Sequence, residues 1–176
     1  MDGIKMLKTR RCVRTFVEKT SFEKNIPDEI INDIIDCARL APTANNVQPW
    51  IFVVIKNAEL KNKVAQAAVT NGKFISQAGI CVAIFCEDVK YYLEDGVAAT
   101  ENILLAATYY GLGSCWIAGD KKPYAEEIRN LLNVPQNYKL ISLVAIGYTE
   151  GNVLEKAQNI AKKLLKEVMF IDKFSK

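Results

Sequence analysis

Three nearly unbroken apolar runs, rich in β-branched and aromatic residues, occupy residues 50–56, 79–86 and 140–148. Each run has the length of a strand and lacks the polar alternation of a strand with one solvated face. We therefore predict three strands that are buried on both faces and lie in the middle of a sheet.

Between these runs the apolar residues recur with a helical period, most clearly after Pro27, which suits a first helical turn. The helix predicted there ends before Pro42, and its buried stripe comprises Ile30, Ile31, Ile34, Ile35 and Ala38. Further helices are predicted over residues 3–8, 58–68, 95–110 and 124–132. Residues 157–168 fit either a helix or an extended arm, and Asn71-Gly72 signals a turn.

The order of these elements predicts one α+β domain over residues 1–176, with helices on both faces of a central sheet. The helix at residues 95–110 is apolar nearly all round its circumference. Such a helix must be covered on every side. In a domain this small, the natural cover is a second subunit.

Charge and composition restrict the possible chemistry. The chain has 176 residues, a formal net charge of +3 and no histidine. Its basic residues are interspersed with acidic ones, which argues against a nucleic-acid-binding domain. Without histidine, His-based zinc sites, Ser-His-Asp triads and Cys-His dyads are excluded. An enzyme of this composition would take its chemistry from a cofactor.

The five cysteines are Cys12, Cys37, Cys81, Cys86 and Cys115. Their odd number, the lack of a C-x-x-C pair and the apolar context of the last four favour free thiols in a reducing compartment, and hence a cytoplasmic location. The N-terminal residues lack the apolar core of a signal peptide. Gly111 and Gly113 interrupt the longest stretch with few charges, so we expect no membrane span.

Three segments carry residues suited to binding a ligand. The first contains Arg10, Arg11 and Arg14 around Cys12, and in extended chain residues 10, 12 and 14 point to one side. Guanidinium groups on one face suit a phosphate dianion, each charge-assisted contact contributing about 1.5–3 kcal/mol. A solvated basic loop is the alternative interpretation.

The second segment, residues 41–50, holds small and amide side chains between Pro42 and Pro49. Amides suit the edge of a heterocycle that both donates and accepts hydrogen bonds. The third segment, residues 111–119, is rich in glycine and small residues, so its backbone N–H groups are able to approach a ligand closely. The alternatives are an ordinary helix-to-strand loop for the second segment and a helix C-cap with a tight turn for the third.

The motifs R-R-C-V-R-x-F, A-P-T-A-N-N-V-Q-P-W and G-L-G-S-C-W-I-A-G resemble, in order and approximate spacing, those of the FMN-dependent nitroreductase family. The resemblance covers nearly the whole chain. It implies a nitroreductase-like α+β fold, with a central, mostly antiparallel sheet flanked by helices, and an intertwined homodimer with FMN at the subunit interface. The apolar helix at residues 95–110 would then be the central dimer helix.

The resemblance also implies a role for each motif. Residues 10–14, termed the basic strip, would hold the FMN phosphate and the pyrimidine end of the flavin through Arg10, Arg11, Cys12 and Arg14. Residues 41–50, termed the proline-bracketed loop, would reach the flavin from the other subunit through Pro42, Thr43, Ala44 and Asn46. The implied catalytic groups are Arg14, beside the ring, and the backbone N–H groups given to flavin N5 and O4 by Ala118 and Gly119.

The same resemblance implies four further cofactor-binding residues. Asn71 and Lys73 match an amide and a basic residue that lie near the flavin pyrimidine in the family. Lys162 or Lys163 falls where a basic residue near the C-terminus completes the phosphate site.

The implied activity is ping-pong electron transfer from NADH or NADPH through FMN to nitroaromatic, quinone or similar acceptors. The third segment adds Trp116 and Ile117 to the cofactor-binding set, and Trp116 with Phe74 would line the acceptor pocket unless both serve core packing. Alternatives are a same-fold reductive dehalogenase or flavin-fragmenting enzyme, a non-catalytic flavin-binding or redox-sensing protein, and an interaction module without a cofactor.

Three departures from the family pattern affect the expected phosphate site. Cys12 stands where the family usually has Ser, and Ala44 replaces a common second Ser. Lysine takes the place of the C-terminal arginine, which loses a bidentate fork. Together these changes would weaken FMN binding by about one to a few kcal/mol.

Overall fold

The computed structural model describes residues 3–17, 25–151 and 161–174. Its helices are α1 (Gly3–Thr9), α2 (Asp28–Arg39), α3 (Ala58–Ala67), α4 (Val69–Gly72), α5 (Tyr92–Tyr109) and α6 (Ala125–Leu131). Its strands are β1 (Trp50–Ile55), β2 (Ile80–Glu87), β3 (Gly113–Ala118) and β4 (Tyr138–Gly147). Short 3-10 turns occupy Ala44–Asn46, Lys73–Gln77 and Leu165–Glu167.

The four strands form one sheet in the order β1-β2-β4-β3, and every neighbouring pair is antiparallel. The predicted α+β fold with a mostly antiparallel central sheet is confirmed. A single parallel bridge, between Cys12 and Ser114, adds the chain's N-terminal segment to the outer side of β3.

Helices cover both faces of the sheet and create two separate cores. On one face, α2 and α5 bury Ile34 and Ile103 against Val144. On the other, α3 and α6 bury Val64 and Ile128 against further strand residues. Because both faces are covered, the strands need no polar alternation, as their apolar runs predict.

Local sequence signals explain the helix boundaries. Pro27 precedes α2, whose first turn carries Asp28 and Glu29 at the positive end of the helix dipole. The Asn57 side chain caps α3 by accepting a hydrogen bond from the Leu60 N–H at 2.9 Å. Among the described residues, no helix is long and apolar enough to cross a lipid bilayer.

Several sequence expectations differ from the structure. Residues 113–118 form strand β3 rather than a tight turn. Glycine and small residues have low strand propensity, so the sequence did not indicate this edge strand. β1 lies at the edge of the sheet and not in its middle, and most of it is only half-buried. The Asn71-Gly72 turn is a short helix, α4. Residues 157–160 lie outside the described ones, and residues 161–168 contain only a 3-10 turn.

Candidate functional site

The basic strip docks along the outer side of β3. Cys12 forms the parallel bridge with Ser114, and the Val13 N–H donates to the Ser114 carbonyl oxygen at 2.9 Å. Gly113 permits this approach, since a Cβ there would lie 3.0 Å from Val13 Cγ1 and 2.5 Å from Thr149 Cγ2. The glycine therefore serves close packing of protein segments rather than the ligand approach expected from the sequence. Gly111, with φ of 69°, takes the left-handed conformation directly after Tyr110, the C-cap of α5.

The arginines of the strip take different directions. Arg14 lies over the ring of Phe74, with 6.0 Å between its guanidinium carbon and the ring centroid. The Arg10 side chain forms an ion pair with Glu101 of α5 at 3.2 Å. Arg11 donates to the carbonyl oxygens of Lys8 and Arg10, both at 2.8 Å, and so covers carbonyl groups at the C-terminal end of α1. Arg11 is therefore occupied locally, unlike the exposed Arg14.

The turn that carries Asn71 and Lys73 adjoins the strip and β3. Both residues are exposed and flank Gly72, where a Cβ would lie 3.8 Å from Ile117 Cγ2 of β3. Phe74, the next residue, is the ring beneath Arg14. The structure thus brings three segments distant in sequence, residues 10–14, 71–74 and 113–118, to the same edge.

Hydrogen-bond alternation along β3 decides which of its backbone groups face outward. The Gly119 N–H donates to the Ile141 carbonyl oxygen of β4 at 3.0 Å. In an antiparallel ladder the bonded positions alternate, so Ile117 also faces β4 while the backbone groups of Trp116 and Ala118 point to the open edge. Ala118 is exposed, and its carbonyl oxygen accepts from the Tyr124 hydroxyl.

Two sequence-based assignments are corrected by this alternation. Gly119 was expected to offer a free N–H, but the sheet already uses it. Ile117 was expected to contact a cofactor, but its side chain is 2% exposed within the second core. Trp116 is half-buried and packs against the first core, as its core-packing alternative predicts.

The donor set at this edge suits a phosphorylated heterocycle. Arg14 supplies exposed positive charge, Arg10 supplies a guanidinium that also pairs with Glu101, and the outward N–H of Ala118 supplies a neutral donor at the far end of β3. The Ser114 hydroxyl oxygen is buried and has no hydrogen-bond partner among the described residues. Buried hydroxyls are rarely left unpaired, so an unpaired one beside the strip is consistent with a ligand position.

The Cys12 thiol lies in the middle of this positive environment. A hydrogen bond from the Cys115 thiol, followed by the hydrogen bond and charge of Arg10 and the charge of Arg14, lowers the pKa of Cys12, against a raising effect of burial. The same coupling and burial raise the pKa of Cys115. Cys12 therefore has thiolate character that an isolated cysteine lacks.

The proline-bracketed loop is held at the start of α5 by a buried carboxylate. Asp95 accepts from the Thr43 hydroxyl at 2.7 Å and from the Ala44 N–H at 3.1 Å. The Thr43 hydroxyl oxygen accepts in turn from the Gln48 N–H at 3.1 Å. Asn46 has a φ of 56°, and both it and Pro42 are exposed. These contacts fix the loop to its own chain without bringing it against the basic strip.

Lys162 and Lys163 are both exposed and lie before the 3-10 turn at Leu165–Glu167. Their expected place at the phosphate site stays a prediction.

Sequence reasoning missed three residues of this region: Asp95, Glu101 and Cys115. Asp95 carried a usable signal, because a carboxylate in an otherwise apolar helix must have a partner when it is buried. Glu101 is likewise a carboxylate in this apolar helix, and it pairs with Arg10. Cys115 carried none, since its contact with Cys12 depends on how the strip docks on β3.

The chain belongs to the nitroreductase family, a family of oxidoreductases: the nitroreductase family model matches residues 7–79 and 88–148. A protein of Archaeoglobus fulgidus, provisionally named NADH dehydrogenase/NAD(P)H nitroreductase, is 36% identical over 155 residues, covering 84% of this chain and 85% of that protein. The iodotyrosine deiodinase of Nematostella vectensis is 27% identical over 202 residues, covering 95% of this chain and 74% of that protein.

Solved structures confirm the nitroreductase-like fold. An FMN-dependent nitroreductase from Clostridium difficile R20291 matches with a TM-score of 0.85 at 27% identity, covering 97% of this chain and 99% of that one. The NADPH:FMN oxidoreductase of Vibrio harveyi, in complex with NAD+, matches with a TM-score of 0.82, covering 99% of this chain and 78% of that one. At 21% identity, the second likeness bears on the fold alone.

Proposed function

We propose that this chain is an FMN-dependent oxidoreductase that takes electrons from NADH or NADPH and passes them to nitroaromatic, quinone or similar acceptors. Residues 1–176 would act as one FMN-binding domain within a homodimer. The names of the Archaeoglobus and Clostridium relatives support this class of reaction. The cytoplasmic location stays a prediction that rests on the free cysteines.

The observation that carries the proposal is the meeting of three ligand-type segments at the open edge of β3. The arginines of residues 10–14, the exposed polar pair around Gly72 and the outward N–H of Ala118 lie along one strand. A phosphate at the Ser114 end and a ring at the Ala118 end would use all three.

The chain's residues would then act by binding and by placing charge. Arg10 and Arg14 would hold the phosphate and the pyrimidine end of FMN, with Asn71 and Lys73 beside them. The Ala118 N–H would donate to the flavin ring where negative charge develops. Bound FMN would supply the two-electron chemistry, in a ping-pong cycle between nicotinamide and acceptor.

Exposed apolar residues support the homodimer. Val97 and Tyr109 of α5 are 36% and 52% exposed. They lie on one i, i+4 row with the half-buried Leu105 and with Glu101, whose carboxylate pairs with Arg10. The C-terminal segment is also apolar and exposed, through Leu164, Leu165, Val168, Met169, Phe170, Ile171 and Phe174. A second subunit would cover both surfaces, and it would bring its proline-bracketed loop and C-terminal lysines to the partner's flavin.

The first experiment is an FMN titration of the purified chain, followed by addition of NADH or NADPH without oxygen. We expect a flavin absorption spectrum that the nicotinamide bleaches and that an acceptor restores. A bound flavin that no nicotinamide bleaches would favour the non-catalytic flavin protein. A folded chain that ignores FMN would contradict the proposal altogether.

A residue-level test replaces Arg14 by Ala. Loss of one charge-assisted contact of about 1.5–3 kcal/mol corresponds to roughly 10–150-fold weaker FMN binding. Arg39→Ala is the matched control, because Arg39 is an exposed arginine whose ion pair with Asp36 lies elsewhere, on α2. Equal FMN affinity in the two variants would show that Arg14 does not hold the cofactor.

The likeness to iodotyrosine deiodinase supports a second candidate, reductive removal of halide from a halogenated phenol. Both candidates use the same FMN site and differ only in the acceptor. Anaerobic turnover with a nitroaromatic, a quinone and a halogenated phenol separates them, with halide release as the readout for the second. The proposed function predicts turnover of the first two acceptors and none of the third.

A further inference from the structure

The open edge of β3 carries backbone acceptors as well as donors, and the chain itself covers the acceptors at both ends. In an antiparallel ladder the N–H and C=O of one residue point to the same side, so Ser114, Trp116 and Ala118 direct both groups outward. The Val13 N–H donates to the Ser114 carbonyl oxygen at 2.9 Å. The Tyr124 hydroxyl donates to the Ala118 carbonyl oxygen. A donor of the chain therefore already occupies the acceptor at each end.

The middle of the edge differs from its two ends. There the Trp116 carbonyl oxygen lies 3.7 Å from the Cys115 sulfur, which is a weak donor. The strong donors thus lie at the two positions where the proposed function puts the phosphate and the flavin ring. Phosphate oxygens and the N5 and O4 atoms of oxidised flavin are acceptors, and an uncovered carbonyl oxygen would repel them. The two covered carbonyls therefore suit a ligand with acceptors at both ends.

Tyr124 is held so that its hydroxyl alone reaches this edge. It directly precedes α6, and its side chain is 8% exposed and packs within the second core. Burial raises the pKa of the Tyr124 phenol, so the phenol keeps its proton at neutral pH. The packed ring therefore presents a fixed donor to the carbonyl of the residue whose N–H is expected to meet the flavin.

We propose that Tyr124 is a positioning residue whose hydroxyl covers the Ala118 carbonyl and so leaves the Ala118 N–H as the group that meets the flavin ring. This inference rests on the proposed function, because it concerns the FMN site of that function. Its consequence is a preference between redox forms. Oxidised flavin presents an acceptor at N5, whereas reduced flavin carries a hydrogen there. Covering the carbonyl therefore favours the oxidised form relative to an edge with an uncovered one.

A purely structural role for the same hydroxyl makes a different prediction. If Tyr124 served only to fasten the turn between β3 and α6, its loss would loosen the site for any flavin. Oxidised and reduced FMN would then lose affinity by the same factor, and the potential of the bound flavin would not change. The ratio of the two dissociation constants therefore separates the two roles.

The test compares FMN binding by the full chain and by Tyr124→Phe, with oxidised FMN in air and with dithionite-reduced FMN without oxygen. The variant keeps the ring in the core, and the open edge lets water reach the uncovered carbonyl, so the fold should persist; circular dichroism checks this. Leaving that carbonyl unpaired against an acceptor should weaken oxidised FMN binding by about 5–150-fold.

Reduced FMN should lose affinity by a factor at least about threefold smaller, because its N5 hydrogen gains the uncovered carbonyl as an acceptor. The potential of the bound flavin should accordingly shift in the positive direction. A potential titration with redox dyes measures this shift independently of the two binding curves and of any turnover.

Tyr92→Phe is the matched control. It also removes a phenolic hydroxyl near this end of β3, but that hydroxyl donates to the Asp120 carboxylate, at 3.1 Å, and not to a backbone carbonyl. Its ratio of dissociation constants should equal that of the wild type. Equal weakening of both redox forms in Tyr124→Phe, no weakening, or the same change of ratio in Tyr92→Phe would overturn the inference and leave the proposed function standing. A wild-type chain that binds no FMN would contradict both.

Discussion

The two helical layers on either side of the sheet are equally closed inside and differ at their outer surfaces. In the first layer, α2 and α5 bury Ile34 completely, but α5 leaves Tyr109 52% exposed. In the second layer, α3 and α6 bury Ile128 completely, and its most exposed large apolar residue is Val69, at 49%, just after α3. The difference is that Tyr109 belongs to a mostly apolar row on α5, interrupted by Glu101, whereas Val69 stands alone.

A groove beside that stripe reinforces the contrast. It has a volume of about 590 Å3 and lies between α1, α2 and α5, with Leu40, Leu105 and Tyr109 among its lining residues. A layer that needs a partner should show such an unfilled apolar surface, and one that is complete should not. The difference between the layers therefore indicates which face another subunit would cover.

The largest expected effect comes from placing a charge on this surface. Tyr109→Arg would bury an unpaired cation in the proposed dimer, at a cost of about 3–5 kcal/mol, which is more than a hundredfold in the association constant. Val69→Arg is the matched control in the second layer because its exposure is similar. Sedimentation velocity should show a monomer for the first variant and wild-type behaviour for the second. Identical behaviour of both would remove the distinction between the layers.

The next prediction tests whether the interiors are equivalent. Ile34→Ala and Ile128→Ala each remove a side chain that is 0% exposed, one in each layer. Each should lower the free energy of unfolding by about 2–5 kcal/mol, from lost apolar burial and the cavity left behind. Urea unfolding measures both. A loss below about 1 kcal/mol in either variant would mean that its layer is not tightly packed.

A polar contact of the first layer should give a somewhat smaller effect. Asp95→Ala leaves the Thr43 hydroxyl and the Ala44 N–H without their acceptor, which should cost about 2–4 kcal/mol of stability. Asp95→Asn keeps one acceptor oxygen and should lose less. Equal losses in the two variants would show that the charge of Asp95, rather than its hydrogen bonds, fixes the proline-bracketed loop.

The smallest expected effect is a pH dependence at the rim of the groove. The Tyr110 phenol donates to the Asp33 carboxylate at 2.5 Å, and this bond, with burial and the Asp33 charge, raises the pKa of Tyr110 from 10.0 to about 12. Since the pKa is raised on folding, the stabilisation is fully present below pH 10 and is lost as the pH rises toward 12. Tyr110→Phe should lack this alkaline loss. Unfolding curves that fall equally with pH in both proteins would contradict the assignment.

The comparison also shows why some features were predictable from the sequence. The strands at residues 80–87 and 138–147 are long, apolar and covered on both faces, so their composition alone identifies them. β3 was missed because its partner contacts, rather than its propensity, make it a strand. The direction of its N–H groups follows from register with β4, which no local pattern contains, and this is why the donor role of Gly119 was wrong.

In the candidate site, too, some features were predictable from the sequence and others were not. Short motifs predicted Arg10, Arg14 and Ala118 as ligand contacts, since each motif is contiguous in sequence. They did not reveal that Asp95 holds the proline-bracketed loop, because the two are about fifty residues apart. The Arg10–Glu101 ion pair likewise depends on how two distant segments dock.

The edge position of β1 has a consequence for handling the protein. Its six residues, Trp-Ile-Phe-Val-Val-Ile, carry no charge, and in the described part of the chain their outer backbone groups have no neighbouring strand. Uncharged segments of this kind pair readily with copies of themselves. High protein concentration should therefore favour aggregation through this edge, and a lysine introduced at Val53 should act as a gatekeeper against it.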